Sequence, residues 1–315
     1  MRQRRRRLRR RRRRLRRLWQ LMTRDRVGIG WRPELAAGIF DALDRIDVIE
    51  VLADDYLESG RRARRALNTM ARQIPVQLHS IALGMAGAEP VDPRRLDRLA
   101  RLVNDVEPEA WSEHLAFMRA GGIEIGHLAA PPRTAASVEG AAGNLRTAAD
   151  IVGTMPAMEN IATLIEPPCS TLGEPAWIAG ILAASGCGLL LDVHNLHANA
   201  TNFGFDPLDF LARIPLARID CIHIAGGSWI TAPTGDKRYL LDDHLHDVEQ
   251  PTYDLVSEIA ARAAQPLTVI LERDGAFPPM PVLLAQLDRA RAALAAGRRR
   301  QPTKPELAQA HAGGC

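Results

Sequence analysis

Short apolar runs alternate along this chain with longer stretches in which apolar positions recur every three to four residues. The first pattern is that of buried strands and the second that of amphipathic helices. Strands are expected at 27–30, 47–52, 75–80, 110–115, 155–159, 188–193, 217–224 and 267–272, and helices at 33–45, 57–72, 92–106, 135–152, 175–185, 207–214, 252–264 and 278–295. Pro33, Pro175, Pro207 and Pro281 lie near helix starts, where a missing N–H costs nothing. Strict β–α alternation predicts parallel strands joined by right-handed crossovers. At this length the natural closure is an α/β fold of the (β/α)8 TIM-type barrel, with an open doubly wound sheet as the alternative.

The same runs share a second property: they stop on polar groups, at Leu78-His79, Glu113-His114, Glu159-Asn160, Leu191-Asp192, Ile222-His223 and Leu271-Glu272. Taken singly, such a histidine reads as a satisfied core residue, and such a carboxylate as an ion-pair partner or helix cap. Six at the ends of buried strands need a shared partner to neutralise them. In a barrel of parallel strands all these ends converge on one mouth, where such folds place their chemistry. The longest loop, about 225–250, adds Asp242 and His244, which can face one ion if that segment is extended, and His246 beyond them. Alternation prevents Glu113 and His114 from both pointing inward. His114 is therefore the expected ligand and Glu113 its supporting neighbour, with Asn160 and His246 as further supporting candidates.

The expected metal ligands are then His79, His114, Glu159, Asp192, His223, Asp242, His244 and Glu272. Four carboxylates and four imidazoles exceed the needs of one ion and suit two or three divalent ions. Mixed imidazole and carboxylate without thiolate fits iron, manganese or zinc, and ligand type does not choose among them.

Composition adjusts this picture at the ends of the chain. Of 315 residues 46% are hydrophobic, enough for one sizeable core. The net charge of +4 conceals an asymmetry, because residues 1–21 carry 13 basic and no acidic residues, leaving 28 basic against 37 acidic residues elsewhere. Residues 1–21 are expected to be a disordered extension, with Met22 an alternative start; a nucleic-acid- or lipid-binding arm is the other reading. The folded domain is expected over 22–297, followed by a disordered tail at 298–315. Cys169, Cys187, Cys221 and Cys315 form no paired spacing, which fits a reducing cytoplasm. No run is long enough for a membrane span, no phosphate loop, dinucleotide fingerprint or nucleophile elbow appears, and 4% aromatic content is too low for a base-stacking platform.

In their order, Gly28-Ile29-Gly30-Trp31-Arg32-Pro33, Leu78-His79, Ser112-Glu113-His114-Leu115, Glu159-Asn160, Leu190-Leu191-Asp192-Val193-His194-Asn195, His223-Ile224-Ala225-Gly226, Asp242-Asp243-His244 and Glu272 resemble the multinuclear non-haem iron-dependent oxidases. That barrel family includes the methanobactin-biosynthesis oxidase. The resemblance implies a centre of two or three iron ions that uses O2 to oxidise cysteine residues of a ribosomally synthesised precursor peptide, assisted by a small peptide-recognition partner protein. It implies the same eight ligands, with Asn195 an additional ligand to a third iron. The chain departs from the family at Asp54-Asp55-Tyr56, where Glu-Asn-Tyr is common, and at His194, where asparagine or threonine is frequent. A metal-dependent sugar isomerase or phosphodiesterase of the xylose isomerase or endonuclease IV type is the alternative on the same barrel, and nucleic-acid binding through the arginine-rich arm is a second.

Overall fold

A computed structural model describes residues 24–232 and 235–301. The arginine-rich arm and residues 302–315 of the expected tail lie outside the described residues. Twelve strands are present among the described residues: β1 (Arg26–Gly30), β2 (Ile49–Leu52), β3 (Val76–His79), β4 (Trp111–His114), β5 (Phe117–Ala120), β6 (Ile123–Ala129), β7 (Ala157–Glu159), β8 (Gly188–Asp192), β9 (Ile219–Ile224), β10 (Ser228–Thr231), β11 (Arg238–Leu241) and β12 (Thr268–Leu271). Eight of them close into a parallel barrel in the order β1-β12-β9-β8-β7-β4-β3-β2. These are the eight expected strands, so the barrel replaces the open-sheet alternative.

Strand alternation divides the core in two. Outward residues such as Ile49, Val51, Met158, Leu189, Leu191, Ile222, Val269 and Leu271 join the large cluster packed under the helices. Inside the barrel a separate apolar plug is formed by Val48, Ala157, Leu190, Cys221 and Ile270. Each plug residue lies two positions before a buried polar residue: Glu50, Glu159, Asp192, His223 and Glu272. With a period of two and a rise of about 3.3 Å per residue, the polar layer lies roughly 7 Å above the plug, on the same inward face. Gly28 lets β1 approach β2 closely here, because a Cβ would stand 2.1 Å from the Val48 carbonyl oxygen.

Several elements differ from expectation. The helix expected at 33–45 is split into Pro33–Leu35, Ala36–Asp41 and Leu43–Arg45. That expected at 57–72 is a short turn at Asp54–Leu57 followed by Arg61–Met70, with Gly60 in extended backbone between them. The segment after β8, read as a strand end and loop, is a helix, Val193–Phe203. Its asparagines hide it from propensity, but they are buried with backbone partners: Asn199 Nδ2 donates to Ile161 O at 2.9 Å and Asn202 Nδ2 to Leu240 O at 2.9 Å. Tertiary hydrogen bonds outweigh a mediocre helix former here.

Two antiparallel hairpins were also not anticipated, β5–β6 after β4 and β10–β11 after β9. The second replaces the irregular loop expected at 225–250 and carries Asp242 at its end. It is docked by Gly227, whose missing Cβ would lie 1.8 Å from Leu241 O and 2.5 Å from His194 Nε2. Finally, the last helix runs to Arg299, past the expected tail boundary at 298. Arg298 holds it in place by donating to Asp25 Oδ1 at 2.7 Å and to Gln265 O at 2.6 Å. No helix among the described residues is long and apolar enough to cross a membrane.

Candidate metal centre

The polar layer gathers at the C-terminal mouth of the barrel. Register makes neighbours of residues far apart in sequence: His114 is the Cα partner of Glu159, and Asp192 of His223. Glu159 lies at the middle. Its Oε2 is 3.3 Å from both His79 Nε2 and His114 Nε2, and its Oε1 is 3.3 Å from His223 Nδ1. Glu272 Oε2 approaches the same His223 Nδ1 at 2.9 Å. Two groups of donor atoms result, His79–His114–Glu159 and Glu159–Asp192–His223–Glu272, each with its atoms within 4.8 Å of one another. Both contain Glu159, whose two oxygens face different histidines.

Asp242 and His244 form a third group beside these, with His244 Nε2 2.7 Å from Asp242 Oδ1. Strand alternation does not bring them together as expected. His244 has a positive φ of 55°, and this turn folds its ring back onto Asp242.

Supporting side chains define how each ligand presents itself. Asp192 caps the helix Val193–Phe203, its Oδ1 accepting from Asn195 N at 2.6 Å. Asn160 pairs with the backbone of Asp192, donating from Nδ2 to its carbonyl and accepting from its N–H, both at 2.9 Å. It thus ties the end of β7 to the end of β8. Asn195 Nδ2 donates to Asn160 O at 3.1 Å, which leaves Asn195 Oδ1 without a partner. Glu113, wholly buried, faces outward and its Oε1 is 3.7 Å from His114 Nδ1. His246 stands apart, half-exposed, with Nδ1 3.0 Å from Asp243 Oδ1, and does not support the centre.

Three supporting residues escaped the sequence reading. Ser112 Oγ is 2.8 Å from His79 Nδ1, Asp274 Oδ2 is 3.1 Å from His244 Nδ1, and both oxygens of Glu50 lie 3.0–3.1 Å from His223 Nε2. Asp274 is itself held by Arg32, whose Nε donates to Oδ1 at 2.9 Å. Glu50 was detectable, as a carboxylate two positions beyond an apolar residue in the pattern that also yields Ile270 and Glu272.

Electrostatics follow from burying so many ionisable groups together. Burial pushes His79 down to about 3, with His114 and His223 adding repulsion, so its ring is neutral. Burial acts the same way on His114, but Glu159 and Glu113 overcome it and raise the ring to about 9. His223 and His244 also lie well above their ordinary value despite burial, the first because of Glu272, Glu50 and Glu159, the second because of Asp242 and Glu272. Burial, then repulsion from Asp242, Glu159 and Glu272, raises Asp192 well above the usual carboxylate range. Glu272 is held well below that range by His223 and His244, which outweigh its burial.

The donor set passes a direct test for metal. Buried atoms without a hydrogen-bond partner include Glu159 Oε2, Asp192 Oδ2, Asn195 Oδ1, His223 Nδ1, Asp242 Oδ1 and His244 Nε2. Orphaned buried polar atoms are costly and uncommon, and these six all belong to expected ligands. Lone pairs of imidazole and carboxylate aimed into a shared space fit divalent cations.

The family model of the RiPP precursor modification enzymes MbnB/TglH/ChrH matches residues 26–295. A UPF0276 protein of Bordetella bronchiseptica is 32% identical over 272 residues, 86% of this chain and 93% of that protein. Among solved structures, D-psicose 3-epimerase from Clostridium cellulolyticum aligns with a TM-score of 0.55 at 11% identity, over 88% of this chain and 100% of its own. Endonuclease IV from Thermus thermophilus aligns with a TM-score of 0.55 at 14% identity, over 86% and 99%. At these identities the two likenesses show the fold alone. The chain belongs to the RiPP precursor modification enzymes of the MbnB/TglH/ChrH family.

Proposed function

We propose that the chain is a multinuclear iron, O2-dependent oxidase that modifies cysteine residues of a ribosomally synthesised precursor peptide in the cytoplasm, with a small peptide-recognition partner protein. The observation that carries this reading is the convergence of partnerless, buried imidazole and carboxylate atoms around Glu159 in a chain of this family. His79 and His114 with Glu159 would hold one iron, and His223, Asp192 and Glu272 with Glu159 a second. Asp242 and His244, with Asn195, would hold a third.

Bound iron supplies the redox chemistry with O2 that these side chains lack. The protein contributes position, charge balance and exclusion of water. The apolar plug seals the barrel beneath the centre, so the reacting groups meet solvent and substrate from the mouth. Ser112, Glu50 and Asp274 stand behind His79, His223 and His244 at hydrogen-bond distance and limit their rotation. Around the mouth, the loops after β4, β7 and β9 expose Ile123, Ile125, Leu164, Ile165, Trp229 and Leu245. Exposed apolar groups clustered on one rim suit a macromolecular substrate or partner better than a small sugar.

Protein purified without oxygen should contain two to three irons per chain and consume O2 when given a cysteine-containing precursor peptide. Stoichiometric zinc that supports turnover without O2 uptake would overturn the reading.

A further inference from the structure

An imidazole has two ring nitrogens, and the partner of one decides what the other can do. At three of the four histidines of the centre the neighbouring group stands at Nδ1 and the centre lies on the Nε2 side: Ser112 beside His79 and Asp274 beside His244 at hydrogen-bond distance, and Glu113 beside His114 at 3.7 Å, beyond a hydrogen bond. His223 is reversed. Its Nδ1 faces Glu159 and Glu272, and its Nε2 faces both oxygens of Glu50, at 3.0 and 3.1 Å.

Glu50 also comes from a different direction. The other three groups flank the ring they stand beside or follow it on nearby loops and strands, whereas Glu50 lies on β2, three strands from β9 around the barrel. Its side chain crosses the interior just above the plug, 2% exposed, and among the described residues its hydrogen-bond-distance contacts are with His223 alone. A carboxylate in that place is expensive unless it has a partner.

We propose that Glu50 is a positioning residue of the metal centre: by accepting from the Nε2–H of His223 it fixes the ring and tautomer that offer Nδ1 to the ion shared with Glu159, Asp192 and Glu272. The proposal rests on reading this cluster as a metal centre. A carboxylate behind a ligating imidazole orients the ring and raises its donor strength, and losing such a support costs about 10–100-fold in metal affinity. The effect should fall on one ion, since among the described residues the Glu50 side chain contacts no other histidine of the centre.

The full-length protein, stripped by chelator, is titrated with Fe(II) under anaerobic conditions by calorimetry, comparing wild type with Glu50→Gln, Glu50→Ala and Ser112→Ala. The near-isosteric Gln still accepts from Nε2–H but without charge, and should weaken one equivalent of iron by about tenfold. Ala should weaken the same equivalent by up to about 100-fold, and Ser112→Ala should weaken a different one. Glu50→Gln with every equivalent unchanged overturns the proposal, as does a uniform weakening of all equivalents, which is the mark of a merely structural role. Wild-type protein that takes up no iron would instead overturn the reading of the centre itself.

Discussion

His244 Nε2 stands 2.7 Å from Asp242 Oδ1, two residues before it, because the backbone at His244 is left-handed with φ of 55°. A non-glycine residue pays on the order of 1 kcal/mol for that conformation. The Asp274 carboxylate at Nδ1, itself held by Arg32, over-determines the ring and keeps it there. Local strain sustained by two tertiary partners at a buried site points to function rather than to a relaxed loop.

That arrangement separates this pair from the Glu159 groups. His244→Ala or Asp242→Ala should lower iron content by about one ion per chain and leave the ions held through Glu159 in place. Metal analysis after gel filtration, read alongside Mössbauer subspectra, checks this. Loss of all iron from either variant would show that the three groups act as one unit.

Glu159 should behave differently, because its two oxygens face different histidines. Glu159→Ala should remove both ions of its groups and reduce turnover below detection, whereas His79→Ala should weaken mainly one. If the two variants retain equal iron, Glu159 is not a bridge.

Protons occupy this centre when metal does not. His114 at about 9, with His223 and His244 also raised, carries protons at neutral pH that an incoming cation must displace. Metal affinity should therefore rise with pH between 6 and 9, about tenfold per pH unit for each proton displaced. Calorimetry in buffers of different ionisation enthalpy should show net proton release; heats independent of the buffer would contradict it.

How much of this was legible in the chain follows from the type of signal. Inward alternation is written directly into sequence, so the eight strands and the polar residues gathered at their ends could be read. The hairpin β10–β11 could not, because its strands are exposed and short, and its position depends on Asn202 and Gly227 meeting Leu240 and Leu241 from elsewhere in the chain. Asn160 beside Glu159 suggested support, yet its role lies in the Asp192 backbone, 32 residues away. His246 has the right spacing but not the direction, since the turn at His244 sends it outward. Glu50 was overlooked because the strand continues past it with Val51 and Leu52, so it did not mark an end.

Glu113 gives a prediction for the metal-free protein. It is fully buried, and burial raises its carboxyl to about 7 against 4.5 in the unfolded chain. Between these values the native state binds more protons than the unfolded state, so stability falls as pH rises through that window. The total loss is about 3 kcal/mol. His114 prolongs the decline: its folded value of about 9 exceeds its ordinary 6.5, so its contribution is complete below 6.5 and disappears as pH rises through 9. His79 opposes the first part: its folded value of about 3 lies below its ordinary 6.5, so its contribution rises with pH up to 6.5. In chelator-treated protein, urea unfolding should therefore show stability falling from pH 6.5 to 9. Glu113→Gln, which cannot ionise, should make the slope between pH 4.5 and 7 more positive, be more stable than wild type near pH 7 by about 1–3 kcal/mol, and leave the upper part sloping. An unchanged slope between pH 4.5 and 7 in the variant would mean that Glu113 remains solvated or paired as an anion.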